Sequence, residues 1–174
     1  PDVFSKVLAY YPAGWSRIRG PEHFEVLTKS GLTLAYGGTA DSQAMANNGA
    51  VRTWWISRST DRNQNGIRYS YDNEKDPTGA FTTEILPAAI RYNERKDGTA
   101  SAAVLFDYRE RPERAMRTLF TRGMALKNTK LLTAIRTRIH LNAEAEVTME
   151  ANPGTFEAER FRGFREAGVN RLSI

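Results

Sequence analysis

Residues Phe24–Tyr71 read FEVLTKSGLTLAYGGTADSQAMANNGAVRTWWISRSTDRNQNGIRYSY. Phe24, Val26 and Thr28 alternate with polar partners as far as Ser30-Gly31, and Leu32, Leu34 and Tyr36 then resume the alternation. A period of two belongs to strands with one buried face, so the spacing predicts a hairpin that turns at Ser30-Gly31. A second hairpin is predicted from the aromatic run Val51–Ser59, the polar turn Asp61–Gly66 and the return strand Ile67–Tyr71. Asn65-Gly66 suits a tight reversal because both residues tolerate positive φ at little steric cost. Trp54, Ile56, Ile67, Tyr69 and Tyr71 concentrate buriable area here, a large aromatic burying roughly 150–250 Å².

Outward from this stretch the extended pattern continues. Val3–Tyr11 is a short apolar run closed by Pro12-Ala13-Gly14, and Trp15–Pro21 reads as a connection. Thr39–Ala50 has neither period and is expected to be an exposed loop. Asp76-Pro77 and Thr78-Gly79 form a turn cluster. Phe81–Tyr92 follows as an extended run in which Pro87 demands an edge position or a bend. Glu94–Gly98 is a polar reversal, and Ala102–Tyr108 returns as a strand. Glu113–Phe120 fits a helical turn or a loop, and Leu131–Ile139 fits a strand and a helix equally, because Leu132, Ile135 and Ile139 also lie at helical spacing.

The end of the chain changes character. Glu146–Ala151 reads as a buried strand and Asn152-Pro153-Gly154 as a turn. Thr155 is then a helix N-cap with Glu157 and Glu159 in the first turn, where carboxylates complement the helix dipole. Phe161 and Phe164 share a helix face, Gly168 suits the stop, and Arg171–Ile174 begins another strand. The expected fold class is therefore mainly β, with antiparallel hairpins or a meander first and a short C-terminal βαβ-like α/β segment after it.

Composition narrows the chemistry. The 174 residues are 40% hydrophobic and 26% charged, which permits a packed core in one ordinary domain or two small ones. No apolar run is long enough to span a bilayer and no signal peptide is evident. With no cysteine, thiolate zinc sites and cysteine-held iron–sulfur clusters are excluded within this sequence, and the two histidines, His23 and His140, stand far apart. The net charge of +5 favours an acidic partner or nucleic acid, and basic residues concentrate between Arg91 and Arg138. Trp54, Trp55, Tyr69 and Tyr71 imitate a base-stacking platform, but their alternation assigns them to packing, and no nucleic-acid motif accompanies them. The sequence starts at Pro1 and stops at Ile174 within an expected strand, so both ends are expected to be cuts in a longer product.

Several blocks carry a family resemblance. Phe24-Glu25-Val26, Thr28–Leu32, Tyr36-Gly37, Thr39–Ser42, Val51–Trp54 and Ser59–Asn63 with Asn65-Gly66 resemble, in order, the SpvB and TcdB type of insecticidal toxin and its Rhs-repeat relatives. This covers about residues 11–138. A second resemblance occupies about residues 139–174. Ala145–Thr155, Glu159–Phe161 and Gly168–Ile174 are similar to HemW-type radical SAM proteins, relatives of oxygen-independent coproporphyrinogen III oxidase. The division expected is thus a β-rich toxin-scaffold-like segment, 1–138, and a truncated HemW-like βαβ segment, 139–174, joined as a chimeric reading frame.

The first resemblance implies a secreted, non-catalytic virulence component whose partners are other toxin-complex subunits or the rest of its own chain. The second implies a cytoplasmic protein holding S-adenosylmethionine and a 4Fe–4S cluster. Without cysteine the cluster has no ligands here, so no cofactor is expected in this chain. That resemblance places Glu150 and Asn152 towards the cofactor, and they are the only cofactor-binding candidates; no catalytic or metal-binding residue is expected. Glu144-Ala145-Glu146 and Glu157-Ala158-Glu159 match the short Glu-x-Glu pattern of the ADP-ribosyltransferases that some SpvB proteins carry, a common spacing explained in the second pair by the helix dipole. Asp61–Gly66 superficially fits a calcium loop but has Asp72 where the bidentate glutamate belongs. Asp41, beside Thr39, is expected to cap its own turn.

Overall fold

The computed structural model describes residues 5–94, 98–139, 146–150 and 158–173, with only the backbone for 158–161 and 172–173. Contacts divide the chain into two units, Pro1–Ile139 and His140–Ile174.

The first unit contains strands β1 (Lys6–Tyr10), β2 (His23–Leu27), β3 (Thr33–Gly37), β4 (Gln43–Met45), β5 (Val51–Trp54), β6 (Ile56–Thr60), β7 (Gly66–Lys75), β8 (Thr82–Glu94), β9 (Ala100–Glu110), β10 (Arg117–Thr121), β11 (Met124–Asn128) and β12 (Lys130–Ile139). Eight of them form one sheet in the order β1-β2-β3-β6-β7-β8-β9-β12, every pair antiparallel. The meander is interrupted twice, by the two-stranded β4–β5 sheet and by the β10–β11 hairpin.

The first predicted hairpin is β2–β3, closed where Thr28 Oγ1 accepts from the Leu32 N–H at 2.9 Å. The second is more divided than the sequence suggests. Its first strand breaks at Trp55, whose N–H donates to Ser42 O and whose carbonyl accepts from the Gly37 N–H, both at 2.8 Å. Val51–Trp54 therefore pairs with β4, and of this run only residues 58–60 pair with β7. At the turn, positive φ falls on Gln64, at 69°, and not on Asn65-Gly66. Asp61 organises the reversal by accepting from the N–H groups of Asn63 and Asn65.

Four further expectations are corrected or resolved. Thr39–Ala50 is not an exposed loop: it contains β4, and Ser42, Gln43 and Ala44 are buried. Pro87 lies in the central strand β8, at a register shift where Ser70 faces Ala89 and Tyr71 faces Pro87. Pairing of β8 with β9 begins only at Ala89, so Pro87, which has no donor, has a strand partner on one side alone and sits at a register shift with it, which joins the expected edge and the expected bend. Glu113–Ala115 is a 3-10 turn, and Leu131–Ile139 is strand throughout.

In the second unit, β13 (Thr148–Glu150) pairs in parallel with β14 (Arg171–Ser173) across helix α1 (Ala158–Glu166), the expected β-α-β order. Gly168 ends the helix at φ 101° and donates to Arg165 O. The proposed cap at Thr155 lies outside the described residues.

Candidate functional site

Strand registers sort the large sheet into two faces, because laterally paired residues share a face and successive residues alternate. One row reads Leu8, Glu25, Ala35, Arg58, Arg68, Arg91, Ala103 and Arg138 from β1 to β12. The next rows on the opposite face read Val7, Val26, Leu34, Ser59 and Ile67, then Tyr69, Ile90, Val104 and Thr137. The sheet is amphipathic, with one charged face and one apolar face.

On the charged face Arg58, Arg68 and Arg91 stand on three successive strands. Like charges directly opposite each other destabilise a sheet unless something offsets them. Glu94 does so: its side chain is only 1% exposed and forms ion pairs with Arg58 at 3.1 Å and with Arg68. Arg91 instead donates to Ser70 Oγ at 3.0 Å. Glu94 fits because Gly66 lies opposite it; a Cβ there would come within 2.7 Å of Glu94 Oε2.

Beside this row a groove of about 570 Å³ is lined by Arg58, Arg68, Ser57, Glu25, His23 and Asp41. Tyr10 stacks on His23 with centroids 4.3 Å apart and donates to Glu25 at 2.6 Å, a bond that raises the phenol's pKa. Ser57 is tied down by donating to Gly37 O at 2.7 Å, so it is not a free hydroxyl. The groove therefore carries both cations and carboxylates, a geometry for binding charged groups. On the apolar face a second recess, about 820 Å³, is lined by Leu32, Ile67, Tyr69, Ile90, Tyr92 and Ser59.

Glu150 is exposed at the end of β13, opposite Ser173 on β14. Asn152 lies outside the described residues, as do Glu144, Glu157 and His140. Glu146 accepts from Arg171 at 2.7 Å and from Thr148 at 3.0 Å, so a local ion pair occupies it. A 4Fe–4S cluster does not fit the donor set, since the chain has no cysteine. Among the described residues no group of three or more His, Asp or Glu is placed to hold a metal, and no helix is long and apolar enough to cross a membrane.

Asp41 does not cap its own turn; its Oδ2 accepts from the Tyr71 N–H, thirty positions away, at 3.0 Å. The aromatic residues pack: Phe24 meets Trp54 edge-on at 5.0 Å, and Trp54 Nε1 donates to Pro21 O. Sequence reasoning missed the arginine row and Glu94. A signal was present, since the tripeptide Ile-Arg-Tyr occurs at both Ile67–Tyr69 and Ile90–Tyr92. Two antiparallel copies of it set arginine against arginine.

No family model matches the chain. It is 61% identical over 44 residues to the heme chaperone HemW of Escherichia coli K12, a match covering 25% of this chain and 12% of that protein. It is 50% identical over 44 residues to HemW of Haemophilus influenzae, and equally to the mitochondrial radical S-adenosyl methionine domain-containing protein 1 of Bos taurus. The chain thus spans about an eighth of the length of the first of these relatives. Among solved structures it is similar to the N-terminal domain of the effector protein SpvB from Salmonella typhimurium LT2, with a TM-score of 0.65 at 13% identity. That likeness covers 83% of this chain and 57% of the other. Both resemblances carried by the sequence blocks are found, one as sequence identity and one as fold.

Proposed function

We propose that this chain supplies a non-catalytic β-sheet scaffold of an SpvB-like toxin component, secreted with it and docked against other toxin-complex subunits or the remainder of its own chain. The observation that carries this reading is the eight-stranded antiparallel sheet, alike in fold to the SpvB N-terminal domain, with ion pairs on one face and an apolar recess on the other. Glu94 neutralises Arg58 and Arg68 across strands, which favours a packing role over chemistry. The reading divides the chain near Ile139, treats the C-terminal segment as an inactive HemW-like fragment, and assigns no cofactor to the chain.

A second reading, a fragment of a radical SAM protein of haem metabolism working in the cytoplasm, is favoured by the 61% identity over 44 residues. The two are separated by titrating the whole chain with hemin and with S-adenosylmethionine. The scaffold reading expects no saturable Soret shift and no change in melting temperature. A saturable shift abolished by Glu150→Ala would overturn it in favour of the second.

A further inference from the structure

The segment Arg111–Lys130 holds six basic side chains against Glu113 alone, a surplus of five that equals the formal net charge of the whole chain, +5. It comprises the 3-10 turn and the β10–β11 hairpin. Lys130 pairs with Glu110, and Arg136 on β12 pairs with Asp107 at 2.6 Å. Among the described residues, no carboxylate forms an ion pair with Arg114, Arg117, Arg122 or Lys127. Beside the start of β10 lies a recess of about 440 Å³ lined by Arg111, Arg114, Met116, Arg117 and Asn128. Arg111 donates through Nη2 to Lys130 O, while its Nε is buried with no hydrogen-bond partner among the described residues.

β10 pairs with β11 on one side, and its other edge has no strand beside it among the described residues. Leu119 and Phe120 are 66% and 75% exposed. As neighbours on a strand they point to opposite faces, so a partner that covers one face leaves the other in water. A strand added at the edge places cross-strand neighbours beside both, and it also satisfies the backbone groups along that edge. Tip-first burial in a lipid surface fits less well, because the turn is tied back: Asn47 Nδ2 donates to Arg122 O at 3.4 Å.

We propose that the outer edge of β10 is a docking site for an extended acidic segment of a partner protein, which joins the β10–β11 hairpin as a third strand. The cations of the hairpin and its recess select acidic side chains, and Leu119 and Phe120 select apolar ones between them. This stands on the charge and exposure of one hairpin and does not need the scaffold reading.

The test uses the whole chain and a short labelled peptide alternating glutamate and valine, followed by fluorescence anisotropy and amide exchange. The expected result is saturable binding, weakened at least about tenfold by Arg114→Glu with Arg117→Glu and retained by the lysine pair, with new protection of the Arg117–Thr121 amides. Unchanged protection in β7–β9 certifies that the variants fold. No saturable binding, equal affinity for a lysine–valine peptide, binding without protection in β10, or retention only by phosphatidylserine vesicles would overturn the proposal.

Discussion

Replacing Glu94 by alanine removes a carboxylate that is 1% exposed and leaves Arg58 and Arg68, at 41% and 50% side-chain exposure, side by side on neighbouring strands. Breaking a wholly buried pair by removing one partner costs about 3–5 kcal/mol. Here both guanidinium groups regain water on their open sides, which lowers the expected loss to about 2–3 kcal/mol. The two arginines are not equivalent. Arg68 makes a directional hydrogen bond to Oε1, whereas Arg58 approaches Oε2 at 3.1 Å outside hydrogen-bonding geometry. Arg68→Ala should therefore cost more than Arg58→Ala. Urea unfolding followed by fluorescence of Trp15, Trp54 and Trp55 reads all three variants in the first unit. Because the carboxylate is buried, the loss at Glu94→Ala should persist in high salt, where exposed pairs are screened. A loss under about 0.5 kcal/mol, or one abolished by salt, would refute the view that this carboxylate holds the arginine row together.

Gly66→Ala should destabilise by about 1–3 kcal/mol in the same assay, since its Cβ would press on Glu94 Oε2 at 2.7 Å and Arg58 Nη2 at 3.0 Å. Asn73→Ala should cost about 1–2 kcal/mol and speed amide exchange in β4, because Asn73 Nδ2 serves the carbonyls of Ala40, Asp41 and Gln43. Asp76 is held from the ordinary 3.8 down to about 2, chiefly by the Thr78 hydroxyl and then by the Phe81 N–H. Its contribution to the β7–β8 turn is thus present above the ordinary value and lost as pH falls through about 2. The stability difference between wild type and Asp76→Ala should shrink across that window. Burial pushes the Tyr71 phenol up to about 12 from 10.0, so between those values the unfolded chain ionises first and stability falls; Tyr71→Phe should flatten that alkaline loss in a pH-dependent melt.

The strands of the large sheet were legible wherever one face was apolar and the other polar, as in Phe24–Leu27 and Thr33–Tyr36, since alternation depends on local burial alone. What alternation does not encode is which strand lies beside which. Trp55 reads as mid-strand in sequence, yet the chain changes sheets there because its N–H and C=O find different partners, Ser42 and Gly37. Asp41 has the form of a turn cap and instead serves the Tyr71 N–H, a bond between residues thirty apart. Glu94 is likewise unremarkable in sequence, and its burial depends on Gly66 twenty-eight positions earlier. At the other end, the β-α-β order and the helix stop were legible because a signal such as Gly168 acts within a few residues.

The two insertions in the meander meet the large sheet at the same strand. β4 and β11 both pack against β8, and the fully buried side chains Ser42 and Thr82 lie there with Ala44, Val51, Glu84 and Met124. The joints are polar and directional: Met45 N–H donates to Thr82 Oγ1 at 2.9 Å, Thr82 Oγ1 donates to Asn73 Oδ1 at 2.9 Å, and Thr129 donates through its N–H and its hydroxyl to Glu84. Such a cluster is held in one arrangement by hydrogen bonds that an apolar substitute would not reproduce, so it fixes geometry more than it adds burial. Elsewhere in the sheet burial is uneven: Ala89 and Ala102 are buried, whereas Val7, Ile135 and Ile139 remain about 60% exposed. Cover is therefore concentrated where β4 and β11 meet β8, while the outer strands β1 and β12 keep large apolar side chains in water.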